Sequence, residues 1–353
     1  MTRISWPALW QIDEAGLNGK RLCTWFIDGS ANHQGEIRMQ NTAYIAHMQT
    51  LARQSYREIF DNVHEVVFVD FPDHPNVGDS AIALGQLAFF DYASITTLSA
   101  YCIATLDEAV YRSETPVVIN GGGNIAGFFD GIDEHRNKIA ERLNDQTLLI
   151  QAPQSVHFVS TGARERFRDR FASRRNLRMS VRDHTAASAL TGIIDHAIIA
   201  PDAVHHLGFL PSDAPYQRYV VVARTDREAG GSAAPCGSVD WKKDHPPLAI
   251  ASSLRWKAPR LGRFRKLFNL QVDQWRRVAN SRLDRGIEIL SQGEVIVTDR
   301  LHAMLIGLQL GRPVIAIDNN NQKLTKYADT WFGHTQPNIR FAKSFEEAIK
   351  LVN

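Results

Sequence analysis

The stretch VIVTDRLHAMLIGLQLGRPVIAID, residues 295–318, decides the fold class. It opens on an apolar β-branched run, Val295–Thr298, and closes on another, Pro313–Asp318. Between them Arg300–Leu310 spaces its apolar residues at helical intervals, until Gly311 and Pro313 end the pattern. A strand, a helix and a strand joined by short links make the unit of a parallel sheet, whose neighbouring strands need a crossover.

The same alternation runs outward from this stretch. Glu65–Asp70, Pro116–Asn120, Thr147–Gln151, Arg178–Arg182, His196–Ala200 and Tyr219–Arg224 read as further strands. They are apolar without a break, as strands covered on both faces should be. Asp79–Tyr92, His135–Leu143, Ala163–Ala172 and Arg276–Leu290 read as helices between them, and Asn41–Phe60 as an amphipathic helix ahead of them. The three prolines of 201–217 mark a linker. The expected architecture is α/β, two Rossmann-like lobes with parallel sheets, one over residues 1–205 and one over 206–353. Thr225–Pro259, rich in Gly, Ala, Ser and Pro, breaks the second lobe's pattern and reads as a long mobile loop.

Composition narrows the class of protein. At 353 residues, 44% hydrophobic and 22% charged, the chain is globular, and its length suits about two domains of about 150 residues each. Its apolar runs are far shorter than the roughly 20 residues a bilayer demands. The N-terminus lacks the basic-then-apolar order of a signal peptide. Three widely separated cysteines, with no C-x-x-C pair, argue against a disulfide scaffold or a zinc site and fit a reducing cytoplasm. A net charge of +2 does not point to nucleic acid. One local charge run stands out. Residues 255–277 hold eight Lys/Arg and one acid, Asp273, interleaved with Trp256, Leu261, Phe264, Leu267, Phe268 and Trp275. A solvated basic helix face fits that pattern, and so does a patch touching an anionic membrane or a polyanionic carrier.

Ligands of open α/β sheets bind beyond the carboxyl ends of the strands. Nearly every run ends there on a polar group: Asp70, Asn120, Gln151, Arg182, Arg224, Thr298-Asp299-Arg300 and Asp318. After the first run, FPDHPNVGDS carries Asn76, Gly78 and Asp79. Helix capping by Asp79 or Ser80 explains part of this loop, and presentation of amides and a carboxylate to a sugar is the other reading. After the second, Gly121, Gly122, Gly123 and Asn124 allow a backbone to approach a ligand closely, or a strained turn into a helix. Their spacing is not a dinucleotide fingerprint. Most telling are Asp299, Arg300 and His302, at a helix start whose free N–H groups and partial positive charge attract anions. A plain cap with a surface Arg is the bland alternative. Arg182, at a strand end, needs an anion or an acid such as Asp183. Lys323 follows the last run closely.

NVGDSAIALG (76–85), INGGGN (119–124), QAPQSV (151–156), SVRD (180–183) and TDRLHAMLIGLQLGRPVIAID (298–318), followed by Lys323, together resemble the polysaccharide pyruvyl transferases. The resemblance spans roughly residues 65–330. It implies a two-lobed fold similar to GT-B glycosyltransferases. It also implies transfer of pyruvate from phosphoenolpyruvate, a co-substrate, onto two hydroxyls of a sugar in a polysaccharide or its lipid-linked precursor, giving a cyclic ketal. No other cofactor and no metal is implied. Carried over residue by residue, Arg300, His302, Arg182 and Lys323 hold phosphoenolpyruvate and assist the chemistry, with His302 as general acid and Asp299 or Asp79 as lesser candidates. The loops at 76–80 and 121–124 are assigned to the acceptor sugar. The basic insertion at 225–277 has no counterpart in the family pattern. Two other functions stay open on sequence grounds: a nucleotide-sugar-dependent glycosyltransferase of the same architecture, and a non-catalytic glycan-binding component of an assembly complex.

Overall fold

The computed structural model describes residues 29–125, 130–226, 228–333 and 335–352, with side chains from residue 41 onward except at 124 and 130. Two parallel sheets hold every strand among them. In the first, β1 (Glu65–Val69), β2 (Thr96–Tyr101), β3 (Val117–Ile119), β4 (Gly122–Ile125), β5 (Leu149–Val156), β6 (Leu177–Val181) and β7 (Ala197–Ile199) lie in the order β2-β1-β3-β5-β6-β7. β3 pairs with the first half of β5 and β4 with the second. In the second sheet, β8 (Gln217–Val222), β9 (Gly293–Thr298), β10 (Val314–Ile317) and β11 (Ile339–Ala342) lie in the order β11-β10-β9-β8. Every expected apolar run is a strand. The three not foreseen, β2, β4 and β11, are two edge strands with a polar residue at alternate positions and a glycine-rich one.

The long first helix, α1 (Gly29–Ile59), contains the amphipathic segment read from the sequence and buries Tyr44, Met48, Ala52 and Tyr56. α2 (Val77–Ala93), α3 (Asp130–Arg142), α4 (Thr161–Phe171) and α5 (His184–Ala189) connect the first sheet's strands. α6 (Pro246–Arg255), α7 (Val272–Ser291), α8 (Leu301–Gln309), α9 (Lys323–Trp331) and α10 (Phe345–Val352) belong to the second.

The largest apolar core is shared between the two sheets. It joins Val77, Ile82, Leu87 and Phe90 of α2 to Trp275 and Leu283 of α7 and to Leu301, Met304 and Ile306 of α8. A second core backs the first sheet and a third backs the second. α2 is apolar around nearly its whole circumference because it lies between the sheets, where each face meets a neighbour. Burial of this kind contributes about 25 cal/mol per Å² of apolar surface, so the contact across the sheets stabilises their relative position.

Two expectations need correction. Residues 201–217 are not a bare linker: Ala203–Leu207 is a 3-10 turn against α2, burying Asp202, His205 and His206. Nor is 225–259 a free loop. Val239 bridges to Val222 in parallel, Trp241 is 2% exposed, and α6 occupies the end of the segment. Ion pairs hold it in place. Asp73, just after β1, accepts hydrogen bonds from Arg255, Ser252 and Arg282, while Asp244 accepts from Arg282 and Arg285. Arg282 and Arg285 also donate to the carbonyls of Pro72 and Pro75. Burial alone would raise the Asp73 carboxyl, but Arg255 and Ser252 outweigh it and lower the pKa. The loop that leads into α2 is thereby tied to α7.

Candidate active site

The first helix turns of α2 and α8 meet. Asn76 caps α2, its Oδ1 accepting from the Gly78 N–H at 3.2 Å, and its Nδ2 donates to Asp79 Oδ2 at 2.7 Å. The cap is therefore Asn76 rather than Asp79 or Ser80. A Cβ built on Gly78 would stand 2.6 Å from His302 Nδ1 and 2.8 Å from His302 Cβ. Gly78 is thus the floor on which the imidazole rests, a close approach that neither capping nor amide presentation foresaw.

His302, in the first turn of α8, is held from the other side. Its Nε2 lies 3.2 Å from Asp202 Oδ2, and the same oxygen accepts from Arg182 Nη1 at 2.7 Å. Asp202 is 1% exposed, and its Oδ1 accepts from the Val204 N–H. Burial alone would raise its pKa, but the charge of His302, its hydrogen bond and the Arg182 guanidinium hold the carboxyl well below the usual carboxylate range. Arg182 also donates to Ser155 Oγ from Nε and Nη2. Its acid is Asp202 and not Asp183, which caps α5 through the Ala186 N–H. With Nε2 taken by Asp202, His302 Nδ1 has no hydrogen bond among the described residues.

Arg300 is the N-cap of α8 and is 3% exposed. Its Nη2 stands 2.6 Å from Asp240 Oδ1, yet neither that nitrogen nor Nε makes a hydrogen bond. Lys323, the first residue of α9, donates from Nζ to Gly123 O at 3.1 Å and to Glu228 Oε1 at 2.6 Å. Burial lowers its pKa, and the Glu228 carboxylate opposes that shift. Gly122 has φ 146°, a conformation open to glycine and costly for other residues. The glycine run forms β4 rather than a turn into a helix. The side chain of Asn124 lies outside the described residues.

These groups surround one cavity of about 450 Å³. Of the residues singled out from the sequence, Asn76, Asp79, Gly123, Arg182, Arg300, His302 and Lys323 line it. Gly78 and Gly122 support that wall against His302 and Asp79, whereas Gly121 packs on Ile82 and the Ala152–Pro153 backbone away from it. Asp299 does not reach it: its Oδ1 accepts the Arg224 N–H at 2.8 Å, and burial raises its pKa. Arg224, one of the polar strand ends read from the sequence, lines it too, and so do His74, Asp226, Glu228, Trp241, Lys242 and Trp256, which were not foreseen as site residues. Most come from the 225–259 segment, which has no periodicity or motif to reveal them. Asp202 carried a faint signal, an acid three residues beyond the end of β7. A larger cleft, about 1000 Å³, opens between Phe209–Pro215 and the starts of β9 and β10. No histidine lines it, and it lies at the amino ends of those strands, opposite the edge where such sheets bind ligands. We therefore place the chemistry in the smaller cavity.

The fold is α/β, with parallel sheets and a helix start at their carboxyl edge that carries Arg300 and His302. Residues 76–321 match the family model "Polysaccharide pyruvyl transferase", and the chain belongs to that family. It is 26% identical over 298 residues to pyruvyl transferase 1 of Schizosaccharomyces pombe, an alignment covering 78% of this chain and 72% of the relative. Identity is 24% over 288 residues to EpsO of Bacillus subtilis, designated a candidate pyruvyl transferase, covering 78% of this chain and 87% of that one. A crystal structure of an uncharacterised Klebsiella pneumoniae protein shares the fold, with a TM-score of 0.56 at 20% identity, over 84% of this chain and 99% of that one.

Proposed function

We propose that the chain transfers the pyruvyl group of phosphoenolpyruvate to two hydroxyls of a sugar unit, forming a cyclic ketal and releasing phosphate, within lobes arranged in the GT-B manner. The observation that carries this reading is Arg300: a guanidinium almost wholly buried, aimed into the cavity at a helix start, whose Nη2 meets Asp240 as an ion pair and whose Nε has no partner among the described residues. An unsatisfied buried donor is costly, and an anionic oxygen relieves it. Arg182, Lys323 and the α8 amides add the further positive groups that a phosphate with a carboxylate demands.

His302 supplies the proton. With Nε2–H held by Asp202, the imidazolium gives its Nδ1 proton to C3 of the enol, and C2 becomes electrophilic. The first sugar hydroxyl forms its bond to C2 and returns its proton to Nδ1. The C2–O bond to phosphate breaks, and the second hydroxyl closes the ketal, its proton leaving with the phosphate. Arg300 and Lys323 meet the charge that develops on the leaving group. Asn76, Asp79 and Gly123, which line the cavity beside His302 and Lys323, face the acceptor.

The test is phosphate release from phosphoenolpyruvate with a panel of acceptor glycans, run beside UDP-sugars. Release that depends on an acceptor and falls about 100-fold or more in His302→Ala supports the assignment. Turnover of UDP-sugars with none of phosphoenolpyruvate would refute it.

A further inference from the structure

Residues 246–268 present a face unlike the rest of the chain. Half of the large apolar side chains that stand exposed among the described residues lie between 250 and 268. Leu267 is 74% exposed, Ile250 61%, Phe264 54% and Leu254 53%, with Leu261 beside them. From Pro246 to Val272 there is no acidic residue, against six Lys/Arg. Arg255 is buried on Asp73, and Arg265 and Lys266 pair with Glu108 and Asp107. Lys257, Arg260 and Arg263 are exposed and have no ion pair among the described residues.

This face is built, because the segment's polar anchors turn inward. Ser252 and Arg255 bond to Asp73, and Trp256 Nε1 donates to Asp73 O at 2.7 Å. At the far end Asn269 Nδ2 donates to Ala100 O, and its Oδ1 accepts from Thr105 Oγ1. The polar groups grip the first lobe while Leu and Phe face outward, the reverse of what water favours. Exposed apolar side chains ringed by unpaired cations match the boundary of an anionic bilayer. Two copies of the same cationic face would repel one another, so charge disfavours self-association through it. Trp256 belongs both to this face and to the cavity wall, so the cavity mouth opens at the edge of the patch.

We propose that residues 250–268 seat the chain on an anionic lipid bilayer with the cavity mouth at the membrane surface. A sugar carried on a membrane lipid then reaches His302 from the bilayer side; this last clause rests on the function proposed above, and the docking itself does not.

The test is co-sedimentation of the full chain with vesicles of phosphatidylcholine alone or mixed with phosphatidylglycerol. Partitioning onto the mixed vesicles and not the neutral ones is expected. Lys257→Glu/Arg260→Glu/Arg263→Glu should lower the partition coefficient about a hundredfold, and Leu261→Ser/Phe264→Ser/Leu267→Ser should abolish binding even at low salt. Both variants should release phosphate from phosphoenolpyruvate at the parent rate with a soluble acceptor glycan, which shows that they are folded. The proposal falls if the parent ignores mixed vesicles, if both variants bind like the parent, or if the face instead forms a dimer in sedimentation velocity without binding lipid. Vesicle binding without any phosphate release would leave the docking intact and overturn the catalytic reading alone.

Discussion

Gly78→Ala adds a single methyl group at the second residue of α2, and the structure sets its consequence. The new Cβ would stand 2.6 Å from His302 Nδ1, 2.7 Å from Cγ and 2.8 Å from Cβ. Carbon atoms prefer about 3.5–4.0 Å, so the overlap is about 1 Å. Rotation of the imidazole alone does not relieve it, because His302 Cβ is itself within the clash. The start of α8 has to move, which carries Nε2 away from Asp202, now at 3.2 Å. A misplacement of about 1 Å costs about 100-fold in rate. Stability changes less: overpacking costs about 1–3 kcal/mol, and alanine in place of glycine in a helix returns up to about 1 kcal/mol. The expected variant is folded, slightly less stable, and about 100-fold slower in acceptor-dependent phosphate release. Thermal unfolding and turnover measured on one preparation decide it. A variant that is more stable and turns over at the parent rate would show that the imidazole is not held by this packing.

Four further outcomes follow from the same geometry. Asp202→Asn should lower kcat about 100-fold by freeing His302 Nε2 and cost stability by leaving Arg182 without its buried carboxylate; urea unfolding and turnover measure the two effects. Because the Asp202 carboxyl titrates lower when folded than the usual 3.9 or so, its stabilisation is complete above that pH and is lost as pH falls below it. His205 and His206 are pushed down by burial to about 4 and about 3, so their neutral rings favour the fold fully above about 6.5 and less as pH falls from there toward 4; His206→Phe, in a ring nest with Tyr56 and Phe89, should flatten the urea midpoint over that window. Arg282→Met should cost about 1–3 kcal/mol in chemical unfolding, because Asp73 and Asp244 each lose one buried cationic partner while Arg255 and Arg285 remain. Lys323→Met should weaken phosphoenolpyruvate use chiefly through kcat/KM, by about 100-fold, with the fold intact by circular dichroism.

The order of strands, the helices between them and the α8 start were legible along the chain because each depends on neighbours within a few residues. Apolar runs such as EVVFV and VIVT announce strands buried on both faces, and Thr-Asp-Arg-Leu-His announces a helix opening on a cation and an imidazole. The edge strands β2 and β11 escaped notice because one side of an edge meets solvent, so polar residues interrupt their apolar patterns.

Which groups meet across the molecule was decided only by tertiary structure. Asp202 lies a hundred residues from His302 and its partner Arg182 follows the end of β6, yet one carboxylate oxygen serves both. Nothing near Gly78 in the sequence shows that α8 packs against it. Asp226, Glu228 and Lys242 lie in a segment whose composition reads as loop, and they reach the cavity because ion pairs and a strand bridge fold it back. Local periodicity records which face of an element is buried and where the element ends. It carries no record of the distances between elements, and the proton chemistry proposed here is set by those distances.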